Sequence, residues 1–291
     1  MKSKKSNFIL LVHGEPNSIF LEIFFKTIRS RKIKSPIILI SSEKILKKQM
    51  KAFKIRKKIK IIDSNSLSTK KLDNKSINLI NINYNQKKTF EKISNKSNKF
   101  IKESFETAFK IIRNENIHKL INGPISKKHF LKKKYLGMTE YISNKFSIKK
   151  TCMLIYNKNL SVCPVTTHLP LKKVVKKINK KSISEKIILV NNFYKTILGY
   201  KPKIGVLGIN PHCESINEFN EDEKIVSPII NNLKKKFSVS GPFPADTIFI
   251  KNIRSKFDVI VGMYHDQVLT PLKTLFEYDA INITLGLPFL R

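Results

Sequence analysis

The fold of this 291-residue chain is indicated most clearly by one stretch, DVIVGMYHDQ at residues 258–267. Its first half is a run of mostly apolar, β-branched residues, which predicts a buried β-strand over 258–263. Its second half is polar and includes His265 and Asp266. Because ligands of α/β sheets bind beyond the carboxyl ends of the strands, the stretch predicts a functional loop directly after a buried strand.

The same arrangement occurs elsewhere along the chain. A strand predicted over 203–209 runs into Asn210-Pro211-His212, and a strand predicted over 160–165 runs into Thr166-Thr167-His168. A first strand over 8–13 ends in a loop that begins Gly-Glu-Pro. Repetition of polar loops after apolar strands predicts that the functional site lies at the carboxyl edge of a sheet.

Strands alternate with segments of helical length. Further strands are predicted over residues 36–41, 59–63, 77–82, 119–122, 153–156 and 280–284, and helices over 103–113, 182–198 and 221–235. Residues 157–159 are predicted to turn a hairpin between two of the strands. This alternation indicates an α/β fold class.

Three of the six histidines follow predicted strands, namely His168, His212 and His265. Three imidazoles around open positions are a known arrangement for a divalent metal such as Zn²⁺ or Co²⁺. Three unrelated loop histidines are the alternative, since spacing alone does not decide between them. His13 is a weaker candidate for a ligand contact, and His118 and His129 are interpreted as structural or solvated.

The charge of the chain is strongly positive, with 57 Lys and Arg against 21 Asp and Glu, a formal net charge of +36. Such a charge attracts polyanions at low salt. Only six of the cations are arginine, however, and Gly and Trp are scarce, which is typical of drift in an AT-rich coding sequence. Nucleic-acid binders more often use Arg, so the composition argues against a nucleic-acid partner.

Several classes of protein are disfavoured. No apolar run approaches the roughly 18 residues that span a membrane, and residues 7–13 are too short for the apolar region of a signal peptide, so a cytoplasmic protein is expected. Cys152, Cys163 and Cys213 form no C-x-x-C pair and are interpreted as free thiols. The phosphate-binding motif G-x-x-x-x-G-K-[ST] and the dinucleotide motif G-x-G-x-x-G are absent, so the sequence does not identify cofactor-binding residues.

Eight motifs occur in an order that is specific when they are taken together. They are GEP (14–16), NGPISK (122–127), GMTEY (137–141), TTHLPL (166–171), GINPH (208–212), GPFPADT (241–247), MYHDQ (263–267) and NITLGLPF (282–289). With them the chain resembles the 4-hydroxythreonine-4-phosphate dehydrogenase family of pyridoxal phosphate (vitamin B6) biosynthesis. The resemblance covers nearly the whole chain and is weakest between residues 45 and 100.

The resemblance implies a fold like that of isocitrate and isopropylmalate dehydrogenases, with two α/β/α domains and a cleft between them. We expect a discontinuous first domain over residues 1–120 plus 240–291, and a dimer-forming second domain over 121–239. Family members usually continue beyond the position of Arg291, so the first domain is expected to lack its usual C-terminal segment. The family works as a homodimer with its active site at the subunit interface.

The resemblance also implies the chemistry. The family oxidises 4-phosphooxy-L-threonine with NAD or NADP, and the product loses CO₂ to give 3-amino-2-oxopropyl phosphate. A divalent metal (Zn, Mg or Co) is expected on three histidines, one of them from the partner subunit; these match His168, His212 and His265. The substrate-binding positions match Met138, Thr139, Lys273, Asn282 and Arg291. Asp246 and Asp266 are candidates to support the metal histidines, with a plain cap or turn role as the alternative.

The sequence departs from the family pattern at several positions. Met138 stands where the family has a substrate-binding histidine, and methionine donates no hydrogen bond. The glycines usual after Asn-Pro-His are replaced from Cys213 onward, and those usual after Gly-Glu-Pro from Asn17 onward.

Two alternative functions follow from these departures. One is a paralogous dehydrogenase for another phosphorylated hydroxy acid, such as erythronate or threonate phosphate. The other is a non-catalytic basic relative that binds nucleic acid through its lysines. Retention of the three histidines together with Lys273, Asn282 and Arg291 argues against the non-catalytic alternative.

Overall fold

The structure is a computed structural model that describes residues 8–30, 33–65, 67, 72–115, 117–132, 134–135, 137–216 and 219–291. Its strands are β1 (Ile9–Val12), β2 (Ile37–Ser41), β3 (Ile59–Ile61), β4 (Ile77–Asn81), β5 (Leu120–Asn122), β6 (Cys152–Tyr156), β7 (Ser161–Pro164), β8 (Ile204–Leu207), β9 (Val239–Phe243), β10 (Val259–Gly262) and β11 (Ile281–Leu285). Its helices are α1 (Phe20–Ser30), α2 (Glu43–Ala52), α3 (Asn98–Glu115), α4 (Met138–Lys145), α5 (Lys180–Phe193), α6 (Ser227–Leu233), α7 (Lys251–Arg254) and α8 (His265–Phe276).

The chain forms two compact units. The first comprises residues 1–141 and 288–291, and the second comprises residues 142–287. The sheet of the first unit is parallel and has the strand order β3-β4-β2-β1-β5. Strands β1 and β2 are almost continuous runs of buried Ile, Leu and Val, as expected for strands that are covered on both faces.

The core of the first unit lies between this sheet and its helices. Helix α1 buries Phe20, Leu21, Phe24 and Phe25, a spacing that places all four on one face of the helix. They pack with residues of β2 and α2 into one apolar cluster. Helix α2 is capped by Ser42, whose side chain accepts a hydrogen bond from the backbone N–H of Ile45 and so satisfies one donor of the first turn.

The sheet of the second unit has the strand order β11-β6-β7-β10-β8-β9. Strands β7, β10, β8 and β9 run parallel, and β6 pairs antiparallel with both β7 and β11. The predicted hairpin at residues 157–159 is confirmed by the β6–β7 pairing. Strand β10 therefore lies between β7 and β8, and the three strands end at the same edge of the sheet.

Strand β9 lies at an edge of the second sheet and was not among the predicted strands. It contains Gly241 and Pro242, residues that are uncommon in strands. The ring of Pro242 removes one backbone donor, which is tolerated on an edge strand because one side of it has no neighbour. The register against β8 shifts between Gly205 and Leu207 at this pairing.

The predicted domain boundaries are corrected by the strand pairing. The prediction placed residues 240–291 with the first domain, whereas β9, β10 and β11 all pair within the second sheet. Only residues 288–291 return to the first unit, where Leu290 pairs beside Lys119 at the start of β5. Residues 121–141 likewise belong to the first unit and not to the second.

Some of the lysines on the helix surfaces are paired with acidic residues. Exposed lysines form i, i+4 ion pairs on α1 and α2, with Nζ–Oε1 distances of 2.6 Å from Lys26 to Glu22 and 2.7 Å from Lys47 to Glu43. Such exposed pairs stabilise a fold very little. Within the described part of the chain, no helix is both long enough and apolar enough to cross a membrane.

Candidate active site

Three histidines follow the carboxyl ends of three adjacent parallel strands in the second unit. His168 comes after β7, His265 is the first residue of α8 after β10, and His212 lies in the loop after β8. The sequence prediction that these loops share one edge of a sheet is therefore met by the topology. It is the position at which α/β folds bind ligands.

Hydrogen bonds tie the three loops to one another. The hydroxyl of Thr166 donates to the carbonyl of Met263 at 2.8 Å, which links the ends of β7 and β10. The side-chain oxygen of Gln267 accepts from the N–H of Met263 at 2.7 Å, and its amide nitrogen donates to the carbonyl of Gly208 at 2.8 Å. Gln267 therefore links the ends of β10 and β8. The histidine loops are thus held by side chains that contact the backbone.

His265 is held by its neighbour in sequence. Its Nδ1 lies 2.7 Å from Oδ1 of Asp266. A carboxylate that accepts from Nδ1 fixes the tautomer of the ring and leaves Nε2 as the nitrogen that can ligate a metal. The ring centroid of His168 lies 5.8 Å from that of His265, with the two planes inclined at 36°. The pair can face a common cation.

His212 lies in a loop of unusual backbone conformation. His212 and Cys213 have φ values of 55° and 62°, a left-handed conformation that costs energy for residues other than glycine. Both follow Pro211, whose φ is fixed by its ring. Burial raises the pKa of the Cys213 thiol to about 11, with a further contribution from the charge of Asp222. The thiol is therefore protonated at neutral pH and a poor nucleophile.

The donors present in one chain fit part of a metal site. Two imidazoles face each other, and one is oriented by a carboxylate, which suits Zn²⁺ or Co²⁺. Among the described residues, however, no three His, Cys, Asp or Glu side chains close around one point. Within the described part of the chain, His212 therefore does not form a three-residue cluster with His168 and His265.

A pocket of about 610 Å³ adjoins His265 in the second unit. Its lining includes the predicted aspartates Asp246 and Asp266 together with Tyr264 and Gln267. Asp266 contacts His265, whereas Asp246 is exposed at the pocket wall. The pocket is open to solvent and is lined by two carboxylates beside a potential metal ligand.

Two predicted substrate residues of the second unit are exposed. Lys273 lies on α8, eight residues after His265, and Asn282 lies on β11 opposite Ile155. Exposure leaves the Lys273 ammonium available to an anion. Each residue belongs to a helix or a strand, so its Cα is held in place by the backbone hydrogen bonds of that element.

The first unit holds a second group of predicted residues around Arg291. Its Nε donates to Oδ1 of Asn122 at 2.8 Å, and one terminal nitrogen donates to the hydroxyl of Thr139 at 3.4 Å. Asn122 is itself oriented, because its Nδ2 donates to the carbonyl of Gly123 at 2.9 Å. Burial lowers the pKa of the Arg291 guanidinium to about 10, partly offset by Glu140. The group still carries a full positive charge at neutral pH.

Met138 is the first residue of α4 and is half-buried. It directly precedes Thr139, so it lies next to the Arg291 group along the chain. Its thioether is at most a weak acceptor, and no N–H or O–H is present at this position. A ligand at this site therefore meets an apolar contact where the family pattern predicts a donor.

His13 is buried in the first unit and is not available to a ligand. Its Nδ1 lies 2.7 Å from the hydroxyl of Ser41, and its ring stacks on Phe20 with centroids 5.6 Å apart. Burial lowers the pKa of the His13 imidazole to about 3. It is a neutral core histidine, in line with its weaker rating from the sequence.

The sequence prediction missed several residues that shape the site. Thr166, Gln267 and Asn122 belong to the motifs quoted above, so the sequence indicated that these positions matter but did not indicate what each side chain does. Asp222 carried no signal, because an acidic residue early in a predicted helix is ordinarily a solvated one. Its complete burial is visible only in three dimensions.

A family model described as "Pyridoxal phosphate biosynthetic protein PdxA" matches residues 32–291. The chain belongs to this family. A relative from Sulfurihydrogenibium sp. (strain YO3AOP1), named 4-hydroxythreonine-4-phosphate dehydrogenase, is 36% identical over 96% of this chain and 86% of its own length. A relative from Pectobacterium atrosepticum, named D-threonate 4-phosphate dehydrogenase, is 36% identical over 60% of this chain and 55% of its own length.

Solved structures of the family agree with the fold. A 4-hydroxythreonine-4-phosphate dehydrogenase from Klebsiella pneumoniae superposes with a TM-score of 0.83 at 28% identity, over 98% of this chain and 90% of that one. One from Burkholderia phymatum has a TM-score of 0.81 at 25% identity, over 99% and 89%. The predicted family and the α/β fold class are confirmed. The chain is an oxidoreductase of the dehydrogenase type in a family of pyridoxal phosphate biosynthesis, as expected.

Proposed function

We propose that the protein oxidises 4-phosphooxy-L-threonine with NAD or NADP, and that the oxidised product loses CO₂ to give 3-amino-2-oxopropyl phosphate. The observation that carries the proposal is the similarity to named 4-hydroxythreonine-4-phosphate dehydrogenases over 96% of the chain. In the oxidation, a hydride leaves the hydroxyl-bearing carbon for the nicotinamide ring and the hydroxyl loses its proton. In the resulting β-keto acid, the bond between the α-carbon and the carboxylate carbon then breaks, CO₂ leaves, and the enolate that remains takes up a proton at the α-carbon.

The proposed metal ligands are His168, His212 and His265. Imidazole nitrogen favours Zn²⁺ or Co²⁺ over Mg²⁺, which prefers oxygen ligands. A bound divalent metal supplies Lewis acidity that eases loss of a substrate hydroxyl proton and stabilises negative charge in the decarboxylation. Asp266 holds His265 in the tautomer that leaves Nε2 for the metal.

A homodimer is part of the proposal. The described residues of one chain do not bring three metal-binding side chains together, so at least one of the three imidazoles would come from a second copy. The active site would then lie at the subunit interface and activity would require the dimer. The nucleotide cofactor and the phosphorylated substrate are metabolites of the cytoplasm, where we propose that the protein works.

The proposed anion-binding residues are Arg291 and Lys273, with Thr139 and Asn282 as hydrogen-bonding partners of the substrate. Asn122 and Thr139 accept hydrogen bonds from Arg291 and so fix the plane of its guanidinium. A guanidinium held in one plane can bind a phosphate or carboxylate through two parallel N–H groups. Because Arg291 is largely withdrawn from water, its attraction to an anion is screened less than on an open surface.

A phosphorylated hydroxy acid without the amino group, D-threonate 4-phosphate, is the second candidate substrate. It is favoured by the similarity to a relative named D-threonate 4-phosphate dehydrogenase, which is 36% identical. It is also favoured by Met138, which lacks a hydrogen-bond donor at a proposed substrate-binding position. Comparison of kcat/KM for the two substrates, at matched metal and cofactor concentrations, decides between them.

The central experiment is NAD⁺ or NADP⁺ reduction with 4-phosphooxy-L-threonine, measured with Zn²⁺, Co²⁺ or Mg²⁺ added to protein first treated with a chelator. Turnover that depends on the metal is expected. An absence of turnover with every metal and both cofactors would contradict the proposal if D-threonate 4-phosphate is turned over under the same conditions. His265→Ala serves as the inactive control.

A further inference from the structure

Asp222 is a fully buried carboxylate of the second unit that the proposed reaction does not use. It begins the helical segment Asp222–Val226, which runs directly into α6. Its Oδ1 accepts from the backbone N–H of Ile209 at 2.7 Å, and its Oδ2 accepts from the backbone N–H of Asn210 at 2.9 Å. Both donors belong to the loop that carries His212.

These two hydrogen bonds compensate a buried charge. A carboxylate out of water is costly unless it is paired with a cation or accepts several hydrogen bonds. Within the described residues, the ion pairs formed by Lys, Arg and His do not include Asp222. The N–H groups of the His212 loop therefore supply its compensation, and the loop is bound to a fixed point in the core.

Asp222 is not acting as an ordinary helix cap. A capping carboxylate accepts from N–H groups in the first turn of its own helix. The residue that precedes the Asp222–Val226 segment is Glu221, and it makes no such side-chain bond. The oxygens of Asp222 instead contact residues 12 and 13 positions earlier in the chain. The contact is specific to the loop and not to the helix.

Gly208 makes this contact sterically feasible. A Cβ at Gly208 would lie 2.9 Å from Oδ1 of Asp222 and 2.6 Å from the sulfur of Cys213, both too close for a side chain. The backbone at the end of β8 therefore approaches the carboxylate directly. The same residue is bound through its carbonyl by Gln267, so the end of β8 is held from two sides.

We propose that Asp222 is a positioning residue for His212. By binding the two N–H groups just before Pro211, it holds the loop in the conformation that keeps His212 at a positive φ of 55°. A strained residue persists only where its surroundings fix it, and among the described residues the buried carboxylate of Asp222 contributes two of the hydrogen bonds that hold this loop. The inference rests on the proposed function, because His212 matters as a metal ligand.

The test is the Co²⁺ affinity and the visible absorption spectrum of the wild-type protein and of Asp222→Asn. The asparagine keeps the shape of the side chain but offers one acceptor oxygen and one amide NH₂ donor, so one of the two loop N–H groups loses its acceptor. The dissociation constant for Co²⁺ is expected to rise about tenfold or more, in the range found when supports of metal ligands are removed. Glu223→Gln, an exposed neighbour with the same change of charge, is the matched control and is expected to bind Co²⁺ like wild type.

If Asp222→Asn does not fold, hydrogen exchange of the backbone amides in the wild-type protein provides a second test. The amides of Ile209 and Asn210 are expected to exchange slowly in metal-free protein, and exchange at the rate of an unstructured peptide would overturn the inference. Unchanged Co²⁺ binding in folded Asp222→Asn would overturn it too. Wild-type protein that binds no Co²⁺ would instead contradict the proposed metal site itself, and with it any role for Asp222 toward that site.

Discussion

In each sheet a histidine lies within three residues of the carboxyl end of an internal strand, and the two histidines have opposite environments. His13 follows β1 in the first unit, and its ring is buried against Phe20 and bound to Ser41. His265 follows β10 in the second unit, and its side chain is 36% exposed and bound to Asp266. Burial lowers the pKa of His13 to about 3, so it stays neutral and serves packing.

The difference shows that position at a sheet edge does not by itself make a ligand. His265 has a carboxylate that orients it, a second imidazole within 5.8 Å between ring centroids, and an adjacent pocket. His13 has two aromatic rings and no opening. The partner and the exposure of a histidine therefore decide its role more than its place in the topology.

The largest expected effect is loss of activity in His265→Ala. Removal of this proposed metal ligand is expected to lower kcat/KM about a thousandfold or more, because several kcal/mol of charge stabilisation would be lost. His212→Ala is expected to behave likewise with the fold intact. Circular dichroism and Co²⁺ titration accompany the kinetics, and His129→Ala, a partly exposed histidine of the first unit, is the control. Near-normal activity of His265→Ala would remove the contrast with His13.

Arg291→Met is expected to raise KM for the phosphorylated substrate about a hundredfold, with a smaller change in kcat. The substitution keeps an unbranched apolar side chain as far as the position of Nε but removes the charge and the paired N–H groups that bind an anion. Arg291→Lys is expected to recover only part of the affinity, because an ammonium lacks the fork. If KM stays the same in both variants, Arg291 serves structure and not the substrate.

The pH dependence of the free energy of unfolding is expected to show that His13 is buried in its neutral form. Its pKa is about 3 in the folded state against 6.5 in the unfolded state, so below pH 6.5 the unfolded state binds more protons. The stability that depends on its neutrality is complete above pH 6.5 and falls by up to about 1.4 kcal/mol per pH unit as the pH drops toward 3. Urea unfolding at several pH values should show a shallower slope for His13→Gln. Equal slopes would mean that His13 is accessible to water.

Asn122→Ala is expected to raise KM about tenfold, less than Arg291→Met does. The alanine removes the acceptor that fixes Nε of Arg291 but leaves the guanidinium in place. Asn122→Asp retains an acceptor at this position and is expected to stay within about threefold of wild type, since a hydrogen bond to a charged group is kept. An equal loss in both variants would indicate a structural role for the amide, which also bonds the carbonyl of Gly123.

Met138→His has the smallest expected effect. It restores a hydrogen-bond donor at the start of α4, worth about 1 kcal/mol or roughly fivefold in kcat/KM. The gain is expected for 4-phosphooxy-L-threonine if that is the native substrate. A gain for D-threonate 4-phosphate alone would favour the second candidate.

The sequence alone predicted most strands and the polar loops that end them, because buried parallel strands are continuous apolar runs with a clear pattern. Strand β9 was missed because it contains Gly241 and Pro242, which are uncommon in strands. The boundary between the two units was misplaced because pairing between strands far apart in sequence leaves no local sequence pattern. The metal histidines remain predictions. The burial of Asp222 and the hydrogen bond from Arg291 to Asn122 depend on contacts between residues far apart in sequence, so they could not be predicted from a local sequence pattern.

The position of β10 between β7 and β8 has a consequence for a chain that is still being synthesised. Strands β7 and β8 leave the ribosome first, and their shared neighbour follows about fifty residues after β8. Until β10 arrives, the two cannot adopt their final spacing, and each exposes an unpaired backbone edge. Ties from Thr166 and Gln267 to the backbone around Met263 form only then. His265, the last of the three proposed metal ligands, would thus reach its position only late in synthesis.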